Sequence, residues 1–249
     1  MYDLERFSMT DMIVCGSALR RMRQGSESME EIAQNIVQYL YRQFSGAGRP
    51  EGQLALVRLF KTHPFHDLDQ HLQSYARRLT DQEPDPAMKC LTLLATAGGK
   101  PEWCSRALSQ GHQAIPLASA EVVARIPMIA SLIHQFGLDV SHVLASNAPI
   151  PADLIEKTFN VFHVPDALGS PAVPAQAEFV IQQGIRSCLG FGGMLLSGDL
   201  FAVIMFSRVP ISSDTASMFK ILAVSVKLAL LGSETRVFAH PSIGAGSRR

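Results

Sequence analysis

The chain has 249 residues, of which 47% are apolar and 18% are charged, a composition typical of a globular protein with a sizeable core. Lysine plus arginine and aspartate plus glutamate number 22 each, so the formal net charge is zero. A neutral chain has no basic field, and we therefore expect neither nucleic acid nor a membrane surface as a partner.

The cysteines and the start of the chain indicate a cytoplasmic protein. Four widely spaced cysteines form no CxxC motif, a usage typical of reduced thiols; they are Cys15, Cys90, Cys104 and Cys188. The charged start lacks the apolar segment of a signal peptide. No apolar run approaches the length of about 18 residues that predicts a membrane span.

The first half of the chain predicts three helices and two strands. Apolar residues at helical spacing indicate helices over residues 4–22 and 28–44, the second with a Ser-x-x-Glu capping signal at its start. Short apolar runs at 54–60 and 88–95 predict buried strands. Between them, residues 67–79 are more polar and keep one apolar face, which predicts a helix.

The second half predicts a broken helix, a short strand and a long closing helix. Helical spacing runs over 119–136, but Pro127 lies within it and predicts a kink or break just before that residue. Residues 160–163 are predicted to form a short strand, and 215–231 the closing helix. The tail, 232–249, is rich in glycine, serine and arginine and is predicted to be flexible.

A hairpin precedes the closing helix, and the chain is organised around it. Residues 185–191 carry mainly apolar and small side chains, Ser197-Gly198-Asp199 is a turn signal, and 200–206 form an unbroken apolar run. A strand that is apolar on both sides is covered on both faces of its sheet. We therefore predict one face with Phe201, Val203 and Met205, and the other with Ala202, Ile204 and Phe206.

The order of these elements resembles the C-terminal half of a GAF domain, a small-molecule sensor fold related to PAS. The matching segments are Gly184-Ile185-Arg186-Ser187, the turn at Ser197-Gly198-Asp199, the strand at 200–206 and the helix at 215–231. Gly192-Gly193 stand where a Val-Pro pair often occurs, and Ala202 replaces the usual glycine that opens the second strand. The resemblance implies an α+β fold, with a central antiparallel sheet, the N- and C-terminal helices on one face and insertions on the other.

This resemblance divides the chain into an N-terminal helix at 1–25, a GAF-like domain at 26–231 and a flexible tail at 232–249. The middle part is about 60 residues longer than a compact GAF domain. The extra length lies around residues 62–86 and 100–150. Because such excursions roof GAF pockets, we expect any ligand between the sheet and the 100–175 segment.

Six residues combine apolar walls with polar anchors, the mixture that small-molecule sites use. These ligand-binding candidates are Trp103, His112, Phe162, His163, Phe179 and Arg186. The alternative is that the aromatic residues belong to the core and that Arg186 lies on the surface. The sequence names no ligand, and any cofactor is unknown.

Three histidines with neighbouring carboxylates form the densest group of metal-capable side chains, namely His63, His66 and His71 beside Asp67 and Asp69. The HxxH spacing could present two imidazoles and one carboxylate to Zn²⁺ or Fe²⁺. A proline within the motif removes any fixed helical face. The alternative is therefore ordinary exposed histidines in a polar loop.

The cysteines support two further hypotheses. Some GAF proteins reduce free methionine sulfoxide with a pair of pocket thiols, and Cys90 and Cys104 would be that pair here. Phytochrome-type GAF domains attach a bilin to cysteine, for which Cys15 and Cys188 are the candidates. The aromatic and histidine neighbours expected beside such a cysteine are missing around Cys188. The alternative is that Cys90 and Cys188 are small core residues of strands.

The resemblance implies a cytoplasmic, non-catalytic module of signal transduction that binds an unknown small molecule. Segments 56–64, 88–98 and 162–171 resemble the N-terminal sensor region of bacterial sensor histidine kinases, so a histidine kinase or another signalling protein is the implied partner. No phosphoacceptor helix or ATP-binding region follows Leu231. Output would come from a partner or a missing domain of a two-component system. The alternatives are a GAF-type thiol enzyme such as a methionine sulfoxide reductase, and a structural dimerisation module with a collapsed pocket.

The last predicted helix carries two apolar stripes, although a surface helix needs only one for its own core. The first stripe consists of Phe219, Leu222, Ala223, Val226 and Leu230. The second consists of Met218, Ile221, Val224, Leu228 and Leu231. Because symmetric dimers are the commonest oligomers, we predict a parallel homodimer through residues 4–22 and 215–231.

Overall fold

The computed structural model describes residues 1–44, 51–145 and 159–238, and every structural statement below refers to these residues. They contain a six-stranded sheet in which all paired strands are antiparallel. The strands are β1 (Leu54–Pro64), β2 (Lys89–Gly98), β3 (Ala114–Pro116), β4 (Phe162–Val164), β5 (Ser187–Met194) and β6 (Leu200–Ser207). Their spatial order is β3-β2-β1-β6-β5-β4, so β1 and β6 lie in the middle.

Helices cover both faces of this sheet. They are α1 (Met9–Arg21), α2 (Met29–Gln43), α3 (Gln70–Arg77), α4 (Ala120–Ala124), α5 (Pro127–Gln135), α6 (Val140–Leu144) and α7 (Ser213–Leu230). A π-helical turn, Gln176–Ile181, precedes β5. The predicted α+β fold with an antiparallel sheet is confirmed. No helix of these segments is both long and apolar enough to cross a bilayer.

Capping residues decide where the first two helices begin. Ser8 starts α1 with a reciprocal pair of bonds: the Asp11 amide donates to the Ser8 hydroxyl at 3.2 Å, and the Ser8 amide donates to the Asp11 carboxylate at 3.0 Å. The helix therefore begins later than the predicted residue 4. Ser28 caps α2, as expected, but the carboxylate of Glu31 accepts from the Glu27 amide at 2.7 Å instead of completing the box.

The predicted break in the middle of the chain is confirmed. Helix α4 ends at Ala124 and α5 begins with Pro127 as its first residue. Ile126 between them is extended, with φ −111° and ψ 91°. Proline tolerates the first position of a helix because its missing amide would be unbonded there anyway. One periodic apolar pattern thus becomes two short helices.

The alternation along β6 assigns its residues to two separate cores. Phe201, Val203 and Met205 pack in the cluster that contains the buried residues of α1, α2 and α7. Ala202, Ile204 and Phe206 pack in a second cluster with α4, α5 and the residues before β5. All eight residues of β6 are buried. The predicted two-faced strand, with terminal helices on one face and insertions on the other, is confirmed.

Strands β5 and β6 approach each other closely at Gly192, one of the two glycines that stand where the resemblance leads us to expect Val-Pro. A Cβ atom at Gly192 would lie 2.0 Å from the backbone oxygen of Phe201 on the paired strand. No side chain fits in that space, so the close approach of β5 to β6 requires glycine.

The first residues of the predicted tail, up to Phe238, pack against the start of α2 and the core. The amides of Met29 and Glu30 donate to the carbonyls of Arg236 and Val237, both at 2.8 Å. These bonds satisfy otherwise unpaired amides at the start of α2. Phe238 packs against the core and meets the His63 ring in a tilted contact, with ring centroids 5.4 Å apart and planes at 35°. Residues 239–249 of the predicted tail lie outside the described residues.

Candidate functional site

A cavity of about 490 Å³ lies on the face of the sheet opposite the terminal helices. Its floor is formed by residues of three adjacent strands, β2, β1 and β6, that share one face, because alternate strand residues point the same way. They are Leu56, Arg58 and Phe60 of β1, Leu91 of β2, and Leu200, Ala202, Ile204 and Phe206 of β6. The walls come from the segments 102–132 and 173–179. The volume falls within the range of about 300–1,000 Å³ that is usual for small-molecule sites.

Aromatic rings form one wall of the cavity. The rings of Trp103 and Phe179 meet edge to face, with centroids 5.9 Å apart and planes at 76°. Phe179 meets Phe206 of β6 in the same manner, at 4.8 Å and 89°. Edge-to-face contacts fix the ring orientations in addition to burying area. This wall offers flat apolar surface to a ligand.

Within the described part of the lining, Arg58 provides the single cationic side chain. Its neighbours across the sheet are Thr96 on β2 and Ile204 on β6. Burial lowers the pKa of Arg58 to about 10, so the guanidinium stays charged at neutral pH. Its Nε is buried and has no hydrogen-bond partner. Among the described residues, no carboxylate oxygen lies within 4.0 Å of this guanidinium.

His112 holds the second polar position beside Arg58. The His112 Nδ1 lies 3.5 Å from an Arg58 terminal nitrogen, and its backbone amide donates to the Tyr75 hydroxyl at 2.9 Å. Burial and then the neighbouring positive charge of Arg58 lower the pKa of the His112 imidazole. Its φ of 59° is in the left-handed region, which residues other than glycine seldom adopt. The loop thus places the neutral His112 imidazole beside the Arg58 guanidinium. The left-handed backbone conformation at His112 costs conformational energy.

The structure brings together half of the six candidates from the sequence. Trp103, His112 and Phe179 line the cavity. Phe162 is buried beyond β5, where it packs over Gly190, and contributes only to the core. His163 and Arg186 also lie elsewhere.

His163 and Arg186 are outside the cavity because of their places in the sheet. His163 lies on the edge strand β4, and its Nε2 is 2.9 Å from the carbonyl oxygen of Ile211. Arg186 precedes β5 with an exposed side chain, and its backbone bonds to Ser207 and Ala167. Arg186, predicted as a ligand anchor, therefore lies outside the cavity, and Arg58 is the arginine of the described lining.

Arg58 was missed although the sequence contains a signal for it. It stands between Leu56 and Phe60 at strand spacing, inside a run that otherwise predicts a fully buried strand. A charged residue inside such a strand needs a partner or a ligand, because burying an unpaired charge is costly.

The three candidate metal histidines are not brought together. His63 is buried on β1, and both its ring nitrogens lack a hydrogen-bond partner. His66 is exposed, with Nδ1 2.7 Å from the Pro86 carbonyl oxygen, and the Nε2 of His71 lies 2.7 Å from the Gln113 side-chain oxygen. No cluster of three or more metal-capable groups occurs in residues 1–44, 51–145 and 159–238. His63 lies within β1, which ends at Pro64, whereas His66 and His71 follow that strand.

His63 instead lies near a buried charge cluster, Lys61, Lys89 and Asp199. The Asp199 carboxylate accepts from the Lys61 ammonium at 2.6 Å, from the Lys89 ammonium at 2.7 Å and from the Ser197 hydroxyl at 2.8 Å. All three charged groups are less than a tenth exposed. Burial works to raise the pKa of Asp199, but the two ammonium groups outweigh it and hold that pKa below its ordinary value.

His63 is expected to make the fold sensitive to mild acid. Burial first, and then the charge of Lys61, hold its pKa well below the ordinary value. A histidine in the unfolded chain titrates near pH 6.5. Below that pH, His63 binds a proton in the unfolded chain but stays unprotonated in the folded chain. Stability is fully present above about pH 6.5 and falls as the pH is lowered, by up to about 1.4 kcal/mol per pH unit for one proton.

Urea unfolding at pH 7, 6 and 5 tests this prediction with the variant His63→Phe, which keeps a ring against Phe238. We expect the loss of stability towards pH 5 to be smaller in the variant. Some dependence should persist, because burial also lowers the pKa values of His112 and His163. Phe238→Leu, which retains the histidine, should keep the wild-type slope. Equal slopes for wild type and His63→Phe would contradict the prediction.

The thiols do not form a redox pair at the cavity. Cys15, Cys90 and Cys188 are buried, and burial raises the pKa of Cys15 and of Cys90 to about 12 and that of Cys188 as well. A thiol with a raised pKa is a poor nucleophile, since the thiolate is the reactive form. Cys104 is exposed. No cysteine of the described residues lines the cavity.

Comparison with known proteins gives similarity in fold. No family model and no curated protein matches the sequence. The GAF domain of a phosphoenolpyruvate-protein phosphotransferase from Acinetobacter has a TM-score of 0.44 at 10% identity, over 88% of this chain and 92% of that one.

Two phytochrome structures are similar to a comparable degree. The phycocyanobilin-bound GAF domain of a cyanobacterial phytochrome has a TM-score of 0.42 at 11% identity, over 90% of this chain and 96% of its own. The chromophore-binding domain of an unusual bacteriophytochrome from R. palustris has a TM-score of 0.45 at 9% identity, over 92% of this chain and 64% of its own. These likenesses concern fold alone. The sheet and helices of this chain form an α+β fold with a central antiparallel sheet, the fold class that its sequence resemblance implies.

Proposed function

We propose that this domain is a non-catalytic sensory module that takes a small organic molecule into the cavity between its sheet and the segments 102–132 and 173–179. The observation that carries the proposal is the cavity itself, about 490 Å³ of space with an apolar lining and few polar groups. Protein interiors are close-packed, so a cavity of this size is suited to a bound small molecule. The alternative of a structural module with a collapsed pocket does not fit it.

The polar groups of the lining support binding rather than chemistry. They are Arg58, Glu102, Gln110, His112 and Glu178. Serine, threonine and cysteine are absent from the described lining, so the arrangement of an activated nucleophile next to a base is not available there. The placement of the thiols likewise gives no support to the thiol-enzyme alternative.

Filling the cavity tests the proposal. Ala202→Phe places a ring into the empty space above the floor, where Ala202 is buried on β6. In a thermal-shift screen of small organic molecules, we expect compounds that raise the melting temperature of the wild type by several degrees and that of the variant by much less. Saturation at a hundred times the dissociation constant contributes about 2.7 kcal/mol, which gives a shift of that size in a domain of this length.

Ala107→Phe is the matched control, because Ala107 is exposed and does not line the cavity. It should respond to the same compounds as the wild type does. Compounds that stabilise Ala202→Phe as strongly as the wild type would place binding elsewhere and contradict the proposal, as would a screen without any stabilising compound.

Occupancy of the cavity would be transmitted through the central strands. A ligand touching Ala202 and Ile204 contacts residues whose immediate neighbours, Val203 and Met205, pack under the terminal helices. A displacement of β6 would therefore change the packing on both faces of the sheet. The output partner that we propose is a signalling protein such as a histidine kinase, on the strength of the sequence resemblance, in a cytoplasmic setting that suits the four free cysteines.

Self-association through the terminal helices is the second part of the proposal. The first apolar stripe of α7 is buried in its own chain, whereas Ile221, Val224 and Leu228 of the second stripe are exposed by 52%, 42% and 47%. On α1, which packs against α7, Ile13 and Val14 are exposed by 60% and 53%. Two neighbouring helices with exposed apolar residues suit a second copy of this chain. Because the net charge is zero, no long-range electrostatic repulsion opposes the association of two copies.

A further inference from the structure

The unmatched charge of Arg58 points to the chemical class of the ligand. An arginine remains protonated in proteins, so a partly buried guanidinium either pairs with an anion or pays for its desolvation. Here its Nε is buried without a partner, one terminal nitrogen lies 3.5 Å from the His112 Nδ1, and no carboxylate of the described residues lies within 4.0 Å. Arg58 thus presents a charged donor to the cavity without a contacting counterion, although Glu102 and Glu178 belong to the same lining.

We infer that the ligand is an apolar, aromatic-containing molecule with a single carboxylate, which pairs with Arg58 while its body lies along Trp103, Phe179 and Phe206. This inference rests on the proposed function of the same cavity. The planar fork of arginine matches a carboxylate in a bidentate manner, which gives both strength and orientation. The rest of the floor is apolar and offers no second charged anchor.

The carboxylates of the lining disfavour a polyanion as the ligand. Arg58 supplies one positive charge, whereas Glu102 and Glu178 supply two negative charges, which leaves a balance of minus one. A nucleotide or another multiply charged phosphate would meet repulsion from these carboxylates. A single carboxylate can be neutralised by Arg58, and the aromatic wall favours a ring in the remaining part of the ligand.

Three matched probes test the inference: 4-phenylbutyrate, the neutral 4-phenylbutanamide and the cationic 4-phenylbutylammonium. The chain has one tryptophan, and Trp103 lines the cavity, so its fluorescence reports directly on occupancy. At pH 7.5 we expect the carboxylate to bind about 10- to 100-fold more tightly than the amide, since a hydrogen bond to a charged group contributes that much. The ammonium should bind most weakly.

Substitutions at Arg58 separate the charge from the shape of the site. Arg58→Met keeps an apolar side chain of similar length and should remove the preference for the carboxylate while the amide still binds. Arg58→Lys should restore part of the preference. Glu102→Gln should tighten carboxylate binding by a few-fold, because it removes a like charge from the lining. Arg186→Met, at an exposed arginine outside the cavity, is the matched control and should behave as the wild type does.

Each outcome supports or overturns the inference. Amide binding to Arg58→Met shows that the cavity of this variant is intact, so loss of carboxylate preference then has no folding explanation. Equal binding of carboxylate and amide to the wild type, both lost in Ala202→Phe, would overturn the ligand class and leave the proposed cavity function standing. If none of the three probes changes Trp103 fluorescence, the inference is overturned, and the screen with Ala202→Phe decides the proposed function separately.

Discussion

Replacing Asp199 with asparagine is expected to lower the free energy of unfolding by about 3–5 kcal/mol, the cost of leaving a buried ion cluster without its counterion. Asp199 accepts from Lys61 and Lys89 through its two carboxylate oxygens. Burial lowers the pKa of Lys61, and Asp199 is the main group that opposes this effect. Without the carboxylate, the ammonium groups of Lys61 and Lys89 are buried without a counterion. The folded state must then either keep both positive charges buried at a free-energy cost or release a proton from one of them.

Urea unfolding of Asp199→Asn against the wild type at pH 7 measures this cost. The matched control is Asp67→Asn, whose carboxylate is 56% exposed and pairs with His66 at the surface. Such a surface pair is worth about 0–1 kcal/mol, so the control should unfold nearly as the wild type does.

Lys89→Met distinguishes the charge balance from packing at the same cluster. It leaves Asp199 paired with Lys61 alone, one negative charge with one positive charge. We therefore expect a loss clearly smaller than that of Asp199→Asn, although both variants remove one hydrogen bond to the cluster. If Asp199→Asn costs no more than Asp67→Asn, or less than Lys89→Met, the cluster does not stabilise the fold in this way.

The wild-type protein is expected to elute as a dimer of twice 27.1 kDa, and the double variant Ile221→Glu with Leu228→Glu as a monomer. Both side chains lie on the exposed stripe of α7. In a symmetric dimer the two substitutions place four carboxylates in the interface. Each would be desolvated without a partner at a cost of more than 1 kcal/mol, which together raises the dissociation constant by at least about a thousand-fold.

Size-exclusion chromatography with light scattering at micromolar concentration measures this result. The matched control is Leu79→Glu with Ile181→Glu, two apolar residues exposed by 55% and 63% that belong to neither terminal helix. It should remain dimeric. A monomeric wild type ends the proposal, and so does a double variant on α7 that still dimerises.

The sequence by itself determined the parts of this fold that depend on local pattern. The apolar run at 200–206 predicted a strand covered on both faces, because a strand has only two faces and both were apolar. The proline inside 119–136 predicted a break, because it removes an amide donor wherever it stands in a helix. The stripe of Ile221, Val224 and Leu228 was separable from the buried stripe of α7 because helical spacing is regular. Trp103, His112 and Phe179 were among the six candidates from the sequence, and all three line the cavity.

Tertiary structure alone decided which polar groups meet. Lys61 and Asp199 are 138 positions apart, and Lys89 and Asp199 are 110 apart, yet their charges are in contact. In the sequence, Arg58 is one residue of a predicted buried strand. Only the folded chain shows that the loop at His112 and the aromatic wall surround it. Sequence spacing placed His63, His66 and His71 together, whereas the end of β1 separated them. Side-chain direction depends on strand pairing and chain crossings, which no local pattern contains, so the anchor of the candidate site emerged only from the folded chain.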